Sequence, residues 1–410
     1  MPSKPADHRA SPRTGPLAGL KVVDLTHIMA GPTCTLMLAD MGADVIKVER
    51  SPAGDDTRQM VPPKIADESA AFLMMNRNKR GITLDLKTAG GKRVLERLVS
   101  GADVLVENFG PGVIDRLGFG YEALHARHPA LIYCSLSGFG RTGPYRDRRG
   151  FDLVAQAMSG IMSFTGERAD GPPVKAGPPL SDITAGILAA MGILAAYTHR
   201  LKTGEGQWVE TSLYEAALVQ TYWQSAIALA TGVAPRAMGS AHPLNAPYQA
   251  FEAADGWLVV GGANQRNWLR LTEALGAPEL ASDPRFVSGA DRMANLAALE
   301  CELNERFKAK PVEHWLAVLD GEGIPCGPVQ DMMQALSDPH TIARDMVVAT
   351  EHSTLGAVKT LGLPVKFSRT PGGVRTGAPG YGEHTREVLA EHGFDEGEIA
   401  RWSRKALSAP

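Results

Sequence analysis

Residues 20–48 read LKVVDLTHIMAGPTCTLMLADMGADVIKV, and this stretch decides the fold class. The apolar run at 20–25 predicts a short buried strand. Residues 32–41 predict a helix, with Pro32 suited to a first turn, and 44–48 predict a second strand. A strand, a helix and a second strand within thirty residues make a parallel βαβ unit.

The alternation continues. A third strand is predicted at 82–86, then a helix at 91–98 with Val94, Leu95 and Leu98 on one side. Further strands are predicted at 104–106 and 131–136, with a short helix near 113–117 between them. The expected fold class is therefore α/β, a Rossmann-like open parallel sheet covered on both faces, joined to a smaller α/β domain. No GxGxxG follows the first strand, because the turn there is HIMAGP; the dinucleotide fingerprint is absent. Helices are expected from 183 to about 231, a linker at 232–247, and strands at 248–253 and 257–261 followed by helices to about 336. A strand at 363–367 and two helices complete the chain.

Composition narrows the function. The 410 residues carry a formal net charge of −3 and are 44% hydrophobic and 21% charged. That profile fits a globular chain of two domains, and argues against a general nucleic-acid or membrane-surface binder. Cys34, Cys134, Cys301 and Cys326 show no CxxC or metal-ligand spacing, so reduced thiols and a cytoplasmic location are expected, with no metal. Cys34 reads as a small core residue. The richest apolar run, 183–196, is too short to span a bilayer. Residues 1–15 carry no apolar segment after their basic residues and read as a disordered tail.

Residues 150–186 read GFDLVAQAMSGIMSFTGERADGPPVKAGPPLSDITAG. Asp182 stands between a Gly/Pro-rich loop and a helical run. A carboxylate there faces the positive end of the helix dipole, which also stabilises a neighbouring oxyanion. Two readings remain open from spacing alone: a helix N-cap, and a carboxylate nucleophile. Asp152 is open in the same way between a helix cap and a site residue. His27 reads as a packing histidine or a base, and Gly138 and Gly140 as an ordinary turn or as backbone oxyanion donors.

Six strings occur in order: HIMAGP (27–32), DVIKVER (44–50), NKRGITLDLK (78–87), VENFGPGVIDRLG (106–118), SGFGRTGPY (137–145) and LKTGEGQWVETSLYEA (201–216). On these the chain resembles the class III CoA-transferases, a family that includes formyl-CoA transferase, carnitine CoA-transferase and the 2-methylacyl-CoA racemases. The resemblance runs from Pro16 almost to the C-terminus. It implies an acyl-accepting nucleophile at Asp182, with Asp152 where relatives carry an acidic residue. It implies CoA contacts at Ala30, Arg50, Leu84, Lys87, Asn108, Phe109, Arg116 and Arg149. Acyl-CoA and a small organic acid are the implied partners, with CoA esters as substrates and no permanently bound cofactor. The resemblance also implies a homodimer of interlocked rings. The implied domain plan is a large CoA-binding domain at 16–231, a small domain at 248–345 and a segment at 346–410 returning to the large domain.

The chemistry explains why a carboxylate suffices. It attacks a donor thioester to give a mixed anhydride and CoA thiolate. The thiolate then attacks the enzyme's carbonyl, giving an aspartyl-CoA thioester and free donor acid, and the acceptor acid reverses these steps. A thiol pKa near ~8.5 makes thiolate a workable leaving group. Two alternatives belong to other classes. A 2-methylacyl-CoA racemase needs a GHD motif, where this chain has Gly150-Phe151-Asp152, and phenylalanine exchanges no proton. A non-catalytic acyl-CoA-binding protein would lack the nucleophile, and Asp182 is present. For the acid, GSAHPLNAPYQAF (239–251) looks most like relatives using succinyl-CoA and a short dicarboxylic acid. Arg77, Arg141 and Arg148 are candidates for its distal carboxylate. Met29 stands where formyl-CoA transferase has glutamine, and that enzyme's tetraglycine loop has no clear counterpart near Gly261 and Gly262. Both point away from oxalate and formate.

Overall fold

The computed structural model describes residues 14–407, so most of the expected tail lies outside the described residues. Thr14 and Gly15 are not tail: the Thr14 carbonyl accepts from Arg375, and a Cβ on Gly15 would meet the Met41 carbonyl at 2.2 Å. The chain forms two compact units.

The first unit is built on six strands: β1 (Lys21–Asp24), β2 (Asp44–Arg50), β3 (Arg80–Leu84), β4 (Val104–Glu107), β5 (Ile132–Ser137) and β6 (Trp208–Ser212). Their order is β3-β2-β1-β4-β5-β6 and every pairing is parallel. The chain winds outward from β1 in one direction, then from β4 in the other. The crevice at that reversal, beyond the strands' carboxyl ends, is where such sheets hold ligands.

Period-two patterning covers both faces. Val23, Ile46, Val48, Ile82, Leu84, Leu105 and Tyr133 share a core with Val94, Leu95 and Leu98 of α2 (Ala89–Ser100) and with Val388 and Leu389. The other face meets α1 (Ala30–Asp40), which packs on β1 and β2 and on α4 (Leu180–Thr203). Between α2 and α4 in the chain lies α3 (Asp152–Met158).

Several expectations need correction. β6 falls in the region expected to be helical; it is a half-exposed edge strand, WVETS, whose pairing with β5 only the fold supplies. The first of the helices expected from 183 onward runs from Leu180 to Thr203. At 24 residues and a mean hydropathy of 1.6 over its richest window, it is long and apolar enough to cross a membrane by length and composition. Here Ala185, Gly186, Ala189, Ala190, Ile193 and Ala196 are buried in the unit instead. No strand forms at 363–367, where Pro364 lacks a donor. Instead β10 (Val347–His352) and β11 (Gly356–Leu361) make an antiparallel hairpin.

The second unit comprises residues 160–176 and 221–338. Its antiparallel sheet, ordered β9-β8-β7, contains β7 (Tyr248–Glu252), β8 (Trp257–Gly261) and β9 (Cys326–Pro328), the last unanticipated. Phe251, Trp268, Phe286, Phe307 and Trp315 fill its core. Contacts therefore place 160–176 and 221–231 outside the large unit, contrary to the boundary at 231, and the returning segment starts at Pro339 rather than 346.

Candidate active site

The turn after β1 is held by a buried charged network. Asp24 accepts hydrogen bonds from the Thr26 amide and hydroxyl, from Thr35 Oγ1 at 2.7 Å and from Lys79 Nζ at 3.1 Å. Lys47 Nζ donates to the Thr26 carbonyl at 2.9 Å and to Asp55 Oδ2 at 2.8 Å. All four charged side chains are fully buried. Burial alone would raise the Asp24 and Asp55 carboxyls; Lys79 and Lys47 for the first, and Lys47 for the second, overcome it and hold both below their ordinary range. Burial holds the Lys79 ammonium down to about 8. Breaking one partner of such a network costs roughly 3–5 kcal/mol, so it fixes the turn firmly.

Above this network, Ile28 sits at φ 70° and donates its amide to Asp55 Oδ1 at 3.2 Å. A β-branched residue rarely adopts that conformation, and the network holds it there. His27 donates its amide to Asn108 Oδ1 at 2.9 Å, and Asn108 Nδ2 donates back to the His27 carbonyl at 2.8 Å. Asn108 thus ties β1 to β4 across the reversal. The His27 ring meets Phe109 edge-on at 5.7 Å, and burial pushes its pKa below the usual value. With Nδ1 buried and unpartnered, His27 fits the packing reading.

Asp182 lies in the first turn of α4, not before it. The N-cap is Pro179, which offers no side-chain cap, so the cap reading of Asp182 fails. Its carboxylate makes no side-chain hydrogen bond or ion pair among the described residues. Burial, and then the charge of Asp152, push it up to about 7. Asp152 opens α3 and reaches across: Oδ1 accepts from the Ser181 amide at 2.9 Å and Oδ2 from Gln156 at 2.7 Å. It caps its neighbour's helix rather than its own, satisfying one of the unpaired amides at the start of α4.

One turn beyond Asp182, Gly186 packs on the start of α1. A Cβ there would stand 2.6 Å from both the Ala30 carbonyl and Thr33 Cβ. Residues four apart share a helix face, so this contact sets Asp182 beside the turn after β1. The loop after β5 joins the same cluster: a Cβ on Gly138 would meet the Gly150 amide at 2.7 Å, and Gly150 leads through Phe151 to Asp152. Gly140 donates its amide to Ser137 Oγ at 2.8 Å and closes a turn at φ 92°, which removes it as an oxyanion donor. Gly138 keeps an amide without a protein acceptor among the described residues.

The implied CoA positions follow the carboxyl edge of the sheet. Arg50 ends β2, half-exposed and paired with Asp56. Lys87 follows β3, Arg116 lies on the short helix after β4 with its guanidinium over Gly112, and Arg149 precedes α3; all three are exposed. Phe109 is half-buried, and Ala30 is buried at the start of α1. Two positions cannot offer side chains. Leu84 is 1% exposed within the core, and its carbonyl accepts from the Ser51 amide. The Asn108 amide is taken up at both ends by His27. Among the described residues no cluster of three or more His, Cys, Asp or Glu could hold a metal. Sequence reasoning passed over Asp24, Lys47, Asp55 and Lys79, although DVIKVER and NKRGITLDLK contain two of them; for Asp24 and Lys47, a charged residue inside an apolar strand was the available signal.

A doubly wound sheet with a half-buried, unpaired aspartate in the first turn of α4 and exposed cations along its carboxyl edge fits an enzyme that handles phosphorylated acyl esters. The chain belongs to CoA-transferase family III, whose pattern matches residues 17–385. It is 43% identical over 86% of its length to acetyl-CoA:oxalate CoA-transferase of Acetobacter aceti, covering 90% of that protein. It is 37% identical over 94% of its length to succinyl-CoA:glutarate CoA-transferase of Mus musculus, covering 88% of it. The crystal structure of a CAIB/BAIF family protein from Brucella suis superposes with a TM-score of 0.83 at 40% identity, over 92% of this chain and all of that one. The protein is thus a class III CoA-transferase, with CoA esters as substrates and no permanent cofactor.

Proposed function

We propose that the enzyme moves CoA from succinyl-CoA to a short dicarboxylic acid through a mixed anhydride and an aspartyl-CoA thioester on Asp182. The observation that carries this reading is the state of Asp182: half-buried, without a hydrogen-bond or ion-pair partner among the described residues, in the first turn of α4, and raised to about 7. A carboxyl whose pKa is pushed up, with no cation or donor of the described residues holding its charge, is available as a nucleophile. The similarity to a succinyl-CoA:glutarate enzyme supports the dicarboxylic acid. The sequence argument against oxalate is weakened by the 43% identity to an oxalate enzyme, so oxalate belongs among the candidate acids.

Arg50, Lys87, Arg116 and Arg149 are the cations this reading assigns to the CoA phosphates. It includes a homodimer in the cytoplasm. Exposed Tyr222, Trp223, Leu229, Met332 and Met333 on the second unit support a buried partner surface, and interlocking rests on the family resemblance. The decisive experiment follows isotope from labelled free acid into acyl-CoA, over a panel of mono- and dicarboxylic acids with succinyl-CoA and acetyl-CoA as donors. Incubation of a chiral 2-methylacyl-CoA in deuterated water is the counter-test. Phe151 is 71% exposed and exchanges no proton, so α-deuterium uptake at the rate of CoA transfer would overturn the transferase reading.

A further inference from the structure

Arg77, Arg141 and Arg148 were equal candidates for recognising a second carboxylate, and the structure separates them. Arg77 is 3% exposed; its guanidinium donates to Asp40 Oδ2 at 2.6 Å, to the Met74 carbonyl and to Thr360 Oγ1. Arg141 donates to Glu107 Oε1 at 2.5 Å, at the buried end of β4. Both serve internal carboxylates. Arg148 is exposed and has no carboxylate partner among the described residues. Its guanidinium lies 4.7 Å from the Tyr145 ring centroid and 5.4 Å from that of Phe139.

We propose that Arg148 recognises the non-reacting carboxylate of the dicarboxylic substrates. This rests on the CoA-transfer reading above and adds to it the residue that selects the acid. The two rings hold the guanidinium without using its N–H donors, leaving its fork open for a bidentate carboxylate. The platform belongs to the site. Phe139 lies between Gly138 and Gly140, and its ring edge comes within 3.3 Å of a Cβ built on Gly150. Two residues further is Asp152, bonded to the Ser181 amide beside Asp182. Arg148 and Asp152 are four positions apart, a reach of at most roughly 14 Å. A four- or five-carbon diacid must place one carboxylate at Asp182 and the other some way off, and of the three candidate arginines Arg148 is the one tied to that loop pair with its donors open.

The test compares glutarate with valerate, its counterpart lacking one carboxylate, as acceptors in wild type, Arg148→Ala and Arg148→Lys. The ratio of kcat/KM for glutarate over valerate should fall roughly 10- to 100-fold in Arg148→Ala, mainly through KM, and recover in part with lysine. An unchanged ratio would overturn the assignment. A wild type that transfers CoA to no acid would instead sink the underlying reading. A binding measurement decides Arg148 in either case. In an Asp182→Asn background, calorimetry should show glutaryl-CoA binding more tightly than pentanoyl-CoA, with the preference lost on adding Arg148→Ala. A preference that survives Arg148→Ala refutes the proposal.

Discussion

Asp152 Oδ1 accepts a hydrogen bond from the backbone amide of Ser181 at 2.9 Å, so the carboxylate that opens one helix caps the helix that carries Asp182. One side chain therefore does two things: it positions the first turn of α4, and its charge opposes ionisation of Asp182.

The first prediction concerns pH. Attack needs the Asp182 carboxylate, and burial with Asp152 raises that group to about 7. kcat/KM should fall as pH drops through about 7. Asp152→Asn keeps an acceptor for Ser181 but removes the charge, so the acid limb should move to lower pH. Stability runs the other way. A carboxyl whose folded pKa lies above its ordinary value of 3.8 binds its proton more tightly in the folded chain. Its contribution is thus lost as pH rises from about 4 towards 7. Urea melts over this range should show a smaller loss in Asp182→Asn. A limb that stays in place in Asp152→Asn contradicts the electrostatic role.

Asp182→Ala should abolish CoA transfer and Asp182→Asn nearly so, with circular dichroism unchanged. Hydroxylamine or borohydride added during turnover should modify Asp182 and no other carboxylate, as mass spectrometry of peptides would show. Full activity in Asp182→Ala would exclude the covalent route.

Arg50→Ala and Arg116→Ala should weaken CoA-ester binding by about 1–3 kcal/mol, the range for hydrogen bonds to charged groups, without altering the order of preferred acids. Arg116 has no carboxylate partner among the described residues, whereas Arg50 already pairs with Asp56. Arg116→Ala should therefore show the larger effect. Calorimetry with CoA and with dephospho-CoA separates the two. A changed acid preference with unaltered CoA affinity would contradict the phosphate role.

Gly186→Ala opposes two effects of opposite sign. In a helix interior, alanine is favoured over glycine by about 1 kcal/mol. Against this, the new Cβ would stand 2.6 Å from the Ala30 carbonyl, which is backbone and cannot rotate away. Overpacking of this kind costs about 1–3 kcal/mol, so the clash should win. The urea midpoint should fall, and kcat with it, because Asp182 lies one turn away. A stabilised, fully active variant would mean that α1 and α4 do not meet as closely as the structure shows.

The parallel sheet was legible from the sequence because buried strands and helices differ in hydrophobic period, and the pattern of residues 20–136 states that period locally. The short helix Val113–Leu117 and the strand Trp257–Gly261 match their expected bounds for that reason. β6 was missed because an edge strand buries little, so its pattern is faint, and only its pairing with β5 makes it a strand. The expected strand at 363–367 failed because apolar composition outweighed the missing donor of Pro364.

The chemistry divides along the same line. The residue types at the site, Asp182, Asp152, Gly138 and the cations of the sheet edge, stand in the sequence. Their state does not. That Asp182 is half-buried and unpaired among the described residues, that Asp152 caps a helix 29 residues further on, that Asn108 is occupied by His27, and that Arg148 alone of three arginines has its donors open are consequences of packing between distant segments, while the turn that occupies Gly140 with Ser137 is local. Local pattern determines which side chains can ionise or donate. Only the folded contacts determine which of them are still free to act.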